Sequence, residues 1–99
     1  MEKIKSFTDL IAWGRGHQLV ISIYRATNKF PQKEIFALTN QMCRSAISVT
    51  SNIAEGFSRK GDKEKIQFYY MSLGSLTELQ NQLLIARDID YLSKDELIN

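Results

Sequence analysis

Five polar side chains, Gln41, Arg44, Ser48, Asn52 and Glu55, recur at three- and four-residue spacing within the stretch from Gln41 to Phe57. Residues spaced in this way share one face of a helix. Such a stripe can face water, pair with a neighbouring helix, or join a second carboxylate in acid–base chemistry. Glu78 is the second carboxylate considered, but neither it nor Glu55 is joined by a nucleophile–base pair. A carboxylate di-metal bundle needs Glu-x-x-His motifs on its helices. His17 is the only histidine, and no glutamate stands three residues before it. No Cys, Asp or Glu lies near it at metal-ligand spacing, so it reads as a structural or exposed side chain. Cys43 is the only cysteine, which rules out a disulfide within the chain. It reads as a small buried hydrophobe, since a reactive thiol would need His17 as its base. The chain is therefore expected to be no enzyme, with no catalytic residue, cofactor or metal. The polar set Arg44, Ser48, Asn52, Glu55, Ser75 and Glu78 is expected to be structural.

The elements that carry these residues read as helices throughout. Thr8 or Asp9 is the expected cap of a first helix whose apolar residues run Leu10, Trp13, Val20, Ile23, Tyr24 and Thr27. Gly14 and Gly16 weaken it unless another helix packs closely there. Pro31 removes an amide hydrogen and turns the chain, with Phe30 and Phe36 expected to close that end. A second helix spans about Ile35 to Phe57, ending at Gly56. Ser58 to Asp62 forms a basic loop, and Asp62 is the expected cap of a third helix over Lys63 to Ile89. Its apolar face reads Ile66, Tyr69 or Tyr70, Leu73, Leu76, Leu79, Leu83 and Ala86. Asp88 to Leu92 is a turn, and Ser93 with Glu96 has the pattern of a capping box. No strand pattern occurs.

A short loop makes the second and third helices antiparallel neighbours. Pairing about Lys60 sets Ser48 near Met71, Arg44 near Ser75 and Gln41 near Glu78. One turn of offset lets Arg44 reach Glu78, with close packing at Gly74-Ser75. That ion pair would fix the register of the bundle and would cost about 3–5 kcal/mol to half-remove if buried.

The 99 residues suffice for one domain, 1–99, with a modest core. With 43% hydrophobic and 24% charged residues and a single proline, the chain is neither disordered nor collagen-like. A formal charge of +2 permits nucleic-acid contact without requiring it. No apolar run reaches the roughly 20 residues of a membrane span. The opening MEKIKSFTDL lacks the apolar core of a signal peptide. The expected location is the cytoplasm, with no membrane partner.

Several blocks also carry a family resemblance: F-T-D-L-I-A-W at the first helix, F-P at its end, Q-M-C-R-S-A-I-S-V-T-S-N-I-A-E-G-F, G-S-L-T-E-L and D-Y-L-S. Together they closely resemble the four-helix-bundle family of 23S rRNA intervening-sequence proteins, which includes the accessory variability determinants of diversity-generating retroelements. The resemblance spans nearly the whole chain. It implies an all-α, up-and-down antiparallel four-helix bundle, here three long helices plus the truncated start of a fourth, assembled as a ring-like homopentamer. It implies no established enzymatic activity. Its retroelement members use a basic surface to bind nucleic acid and a partner reverse transcriptase. The motif positions matched here are Arg44, Ser45, Asn52, Glu55, Gly56, Gly74, Ser75 and Glu78. Two departures stand out. Gly16 replaces the usual alanine, and the sequence reaches only the start of the fourth helix, which leaves an apolar groove for a neighbouring subunit to cover.

The function expected on this basis is that of an oligomeric helical adaptor that binds RNA or DNA. Its expected contacts are Arg59, Lys60, Lys63 and Lys65 around the second loop, with Arg15, Arg25 and Lys29 on the first helix. Tyr69 and Tyr70 offer faces for base stacking, though core packing is their first reading. The alternative is a protein–protein interaction scaffold with no nucleic-acid role.

Overall fold

Backbone hydrogen bonding shapes the described chain into three long helices joined by short connections. The computed structural model describes residues 3–93. A 3-10 turn at Phe7–Asp9 leads into α1 (Ile11–Thr27), and a second at Gln32–Glu34 leads into α2 (Leu38–Ser58) and α3 (Asp62–Asp88). No strand occurs among the described residues, and no helix among them is long and apolar enough to cross a membrane. The expected fourth helix and the Ser93–Glu96 box fall on or run into residues 94–99, outside the described residues.

Helix ends follow the chemistry of their caps, and several differ from the sequence expectation. Neither Thr8 nor Asp9 caps α1, whose N-cap position is Leu10 without a side-chain bond; Ser6 caps the 3-10 turn before it. Its hydroxyl accepts from the Thr8 amide, and the Asp9 carboxylate accepts from the Lys5 and Ser6 amides at 2.9 and 3.1 Å. That capping box closes the 3-10 turn, and α1 starts two residues later. The second helix begins at Leu38 rather than Ile35, because residues 32–37 form the 3-10 turn and a further bend. Gly61 caps α3, and Asp62 lies in its first turn, where a carboxylate favours the helix dipole.

At its other end α3 stops in a Schellman motif. Asp90 takes a left-handed φ of 66°, Tyr91 N donates to Ala86 O at 2.8 Å and Asp90 N to Arg87 O at 3.0 Å. The reversal buries Leu92 and lays Tyr91 on Phe30, with ring centroids 5.1 Å apart. The Tyr91 hydroxyl then donates to Glu34 Oε2 at 2.8 Å. Phe36, expected to close this end, is 94% exposed, and Tyr91 and Leu92 cover Phe30 instead.

α2 is the middle of the molecule. It packs against both α1 and α3, which make no close backbone contact with each other. Its buried positions, Met42, Ser45, Ala46, Val49, Ile53 and Gly56, sweep the wide arc that two neighbours require. On α1, Gly16 lies so close to α2 that a Cβ there would stand 2.9 Å from the Thr50 methyl. A methyl group at this position would require the Thr50 side chain to shift. On α3 the buried stripe is Ser72, Leu79 and Ala86, one residue in seven. The expected apolar face is broader than the buried one: Ile66 is 52% and Leu73 56% exposed.

Two glycines separate close packing from open space. A Cβ on Gly56 would stand 2.7 Å from the Tyr69 ring and 3.1 Å from Phe68 Cβ, whereas one on Gly74 meets nothing within 4 Å. Close packing at Gly74, expected from sequence, is thus absent. Urea unfolding of Gly56→Ala is expected to show a loss of about 1–2 kcal/mol. Gly74→Ala is expected to gain roughly 0.5–1 kcal/mol from helix propensity alone.

The hydrogen bond to Glu34, followed by partial burial, holds the Tyr91 phenol above its ordinary value of 10.0. The folded state therefore keeps the proton longer than the unfolded state. The resulting stabilisation is complete below pH 10 and is lost as pH rises past it. Tyr91→Phe removes this term. Relative to the variant, the parent chain is expected to lose stability in urea midpoints measured upward from about pH 9.

Candidate functional site

The basic connection between α2 and α3 is only three residues long, Arg59–Gly61, so the first turn of α3 folds over the last turn of α2. That geometry assigns two cations at the turn, Arg59 and Lys65, to the fold. Lys65 Nζ donates to Phe57 O at 2.8 Å and to Gly56 O at 3.3 Å, the latter also accepting from the Arg59 amide at 3.2 Å at the end of α2. The same ammonium lies 5.4 Å from the Phe57 ring. Arg59 donates to Glu55 Oε2 at 3.1 Å, lies 4.0 Å from Glu64, and sits 4.7 Å over the Phe68 ring. Two carboxylates and an aromatic face thus draw on one guanidinium. Lys60 and Lys63 are exposed and take part in no ion pair among the described residues.

The three remaining candidate cations do not join this group as one patch. Arg15 lies toward the α2–α3 connection, on the wall of a groove described below. Arg25 occupies the last turn of α1, and Lys29 follows it. Arg15 and Lys29 are therefore separated by about 20 Å along the axis. The seven cations form a group at the α2–α3 turn and a second group at the far end of α1.

The polar stripe of α2 resolves into a seam with α3. Ser75 Oγ donates to Ser48 Oγ at 2.7 Å, and Asn52 Nδ2 donates to Ser48 O and Oγ at 2.8 and 3.0 Å. Ser72, which sequence reading passed over, is buried and donates to Val49 O at 2.8 Å. Ser48 therefore meets Ser75, one turn beyond the expected Met71. The shift leaves Glu78 level with Ser45, but no Arg44–Glu78 pair forms. Each lies one residue before a buried position, Ser45 or Leu79, and so points about 100° away from the seam. Both are exposed, and neither takes part in an ion pair among the described residues. Gln82 Oε1, on α3, is buried without a hydrogen-bond partner among the described residues.

The groups with chemical potential are dispersed. Glu55 is engaged by Arg59, and Glu78 lies about 15 Å away along the bundle. His17 stacks on Trp13 at 4.8 Å, with Phe7 edge-on to Trp13 at 5.4 Å. Cys43 Sγ sits 3.7 Å from the hydroxyl of Thr27, the last residue of α1, about 15 Å along the helix from His17. Among the described residues no three His, Cys, Asp or Glu side chains converge as metal ligands. Tyr69 is 39% and Tyr70 70% exposed, so neither has the core position expected from sequence.

An apolar concavity lies between α1 and α3, with α2 as its floor. It is an open groove of about 600 Å³, lined by Ile11, Leu19, Val49, Ile53, Leu73 and Leu76 among others. Leu79, Leu83 and Leu84 continue it toward the end of α3.

Two kinds of role are thus separable in one loop. Lys65→Met removes both carbonyl contacts and is expected to cost about 1 kcal/mol in urea unfolding. Lys60→Met is expected to stay within about 0.5 kcal/mol of the parent chain.

A family model described as 23S rRNA-intervening sequence protein matches residues 8–99. No curated protein matches the chain.

Proposed function

Because the chain belongs to the 23S rRNA-intervening sequence protein family, we propose that it is a non-enzymatic, self-associating helical module that binds RNA or DNA at its α2–α3 turn. The family match over residues 8–99 carries the reading. The geometry of the turn supports it: Lys60 and Lys63 are free to meet phosphate, while Arg59 and Lys65 hold the turn in shape. A cation already bound to a carboxylate has less to offer a phosphate. The sequence-derived contact set therefore narrows to Lys60 and Lys63, with Arg15 nearest among the α1 cations. Tyr70, 70% exposed on the third turn of α3, offers a face to stack on a base.

Two lysines per copy make such binding electrostatic and dependent on salt. Filter binding of single-stranded RNA and duplex DNA at about 50 and 200 mM salt is expected to show roughly a tenfold loss of affinity at the higher salt. Lys60→Glu combined with Lys63→Glu is expected to flatten that dependence, while Arg25→Glu leaves it intact. Absence of salt-sensitive binding at the lower salt removes the nucleic-acid role and leaves an interaction scaffold.

A further inference from the structure

We infer that the hydrogen bond between Tyr91 and Glu34 is a latch. It makes the α1–α2 connection, residues 31–37, and the turn after α3, residues 89–92, open and close as one unit. The two segments are far apart in sequence and meet at one end of the molecule, where the Tyr91 hydroxyl donates to Glu34 Oε2 at 2.8 Å.

The α1–α2 connection has few anchors of its own. The bonds from Glu34 N to Pro31 O, Ile35 N to Gln32 O and Ala37 N to Glu34 O close within the connection itself. Pro31, Gln32, Lys33, Ile35, Phe36 and Ala37 are exposed, and in this segment Glu34 alone is half-buried. A segment with exposed backbone bonds and few buried contacts sits at the low end of local stability. Glu34 works in two directions. Its Oε2 takes the tyrosine, and its Oε1 accepts from the Leu38 amide at 3.3 Å, at the start of α2. That helix end needs the help, because its own N-cap, Ala37, supplies no side-chain acceptor. One carboxylate thus ties the first turn of α2 to the turn after α3.

The turn after α3 leans on the same bond. The Tyr91 and Leu92 amides both donate to Ala86 O, at 2.8 and 3.3 Å, so one carbonyl serves two donors. Asp90 between them and the helix is left-handed, a conformation that a residue with a side chain keeps under support from outside. Tyr91 supplies that support, with its ring on Phe30 and its hydroxyl on Glu34. Release of the bond loosens both segments together. It uncovers Phe30 and Leu92 beside Ile35 and Phe36, which are already exposed.

Amide hydrogen exchange in the native protein tests the coupling, under conditions where reclosing outpaces exchange. In the parent chain, Ala37 and Leu38 on one side and Tyr91 and Leu92 on the other are expected to share one opening equilibrium. All four are expected to show the same weak dependence on low urea, while Val49, in the middle of α2, follows the steeper slope of global unfolding. Tyr91→Phe keeps the ring and removes the hydroxyl. It is expected to speed exchange at Ala37 and Leu92 about tenfold, the scale of one hydrogen bond to a charged acceptor. It is also expected to split the two segments into separate openings with different urea slopes. Glu34→Ala is expected to speed Leu92 as Tyr91→Phe does, and the double variant to go no faster there than Glu34→Ala alone. Two segments that already differ in urea slope in the parent chain overturn the single unit. Rates at Ala37 and Leu92 that Tyr91→Phe leaves within about twofold overturn the latch.

Discussion

The close approach of α3 to α2 is the constraint from which the rest of the structure follows. Two serine hydroxyls make it possible, Ser72 donating to the Val49 carbonyl and Ser75 to Ser48. Each spends its polar group within the seam, so small side chains bring the helices together without stranding a donor. Gly56 continues the same approach under Tyr69, where a methyl group would collide with the ring. Held this tightly on one side, α3 shows its remaining leucines and isoleucines to the groove and to water.

A second consequence concerns charge. The three-residue connection leaves the last carbonyls of α2 under the first turn of α3, and Lys65 is the side chain that reaches them. Arg59 is likewise drawn inward by Glu55, Glu64 and Phe68. A loop that looks uniformly basic in composition thus divides into cations that make the fold and cations that a ligand can meet. Charge counting along a sequence does not separate them, because the division depends on which carbonyls and carboxylates the turn brings within reach.

Much of the architecture was legible from residue spacing. The three helices, the break at Pro31, the turn after Asp88 and the small-residue stretch of α2 all follow from local chemistry. Gly16 was legible as one of two possibilities, and contact with Thr50 decides for close packing. What spacing left open was rotation and register. A shift of one turn takes Ser48 from Met71 to Ser75, and the 100° between Glu78 and Leu79 takes the glutamate from seam to solvent. That is why the Arg44–Glu78 pair read from sequence is absent while the serine and asparagine members of the same stripe do meet. Phe36 failed for a related reason: the 3-10 turn at Gln32–Glu34 swings the chain so that Tyr91 and Leu92 close the end in its place.

In the self-association proposed above, the apolar groove beside α3 is the surface that a neighbouring copy covers. An apolar dye that fluoresces on exposed hydrophobic surface reads that covering directly, in a dilution series of the native protein. The expected result is weak dye binding per chain at high protein concentration, rising as dilution separates the copies and opens the groove. Strong binding per chain that stays constant across the series would contradict it.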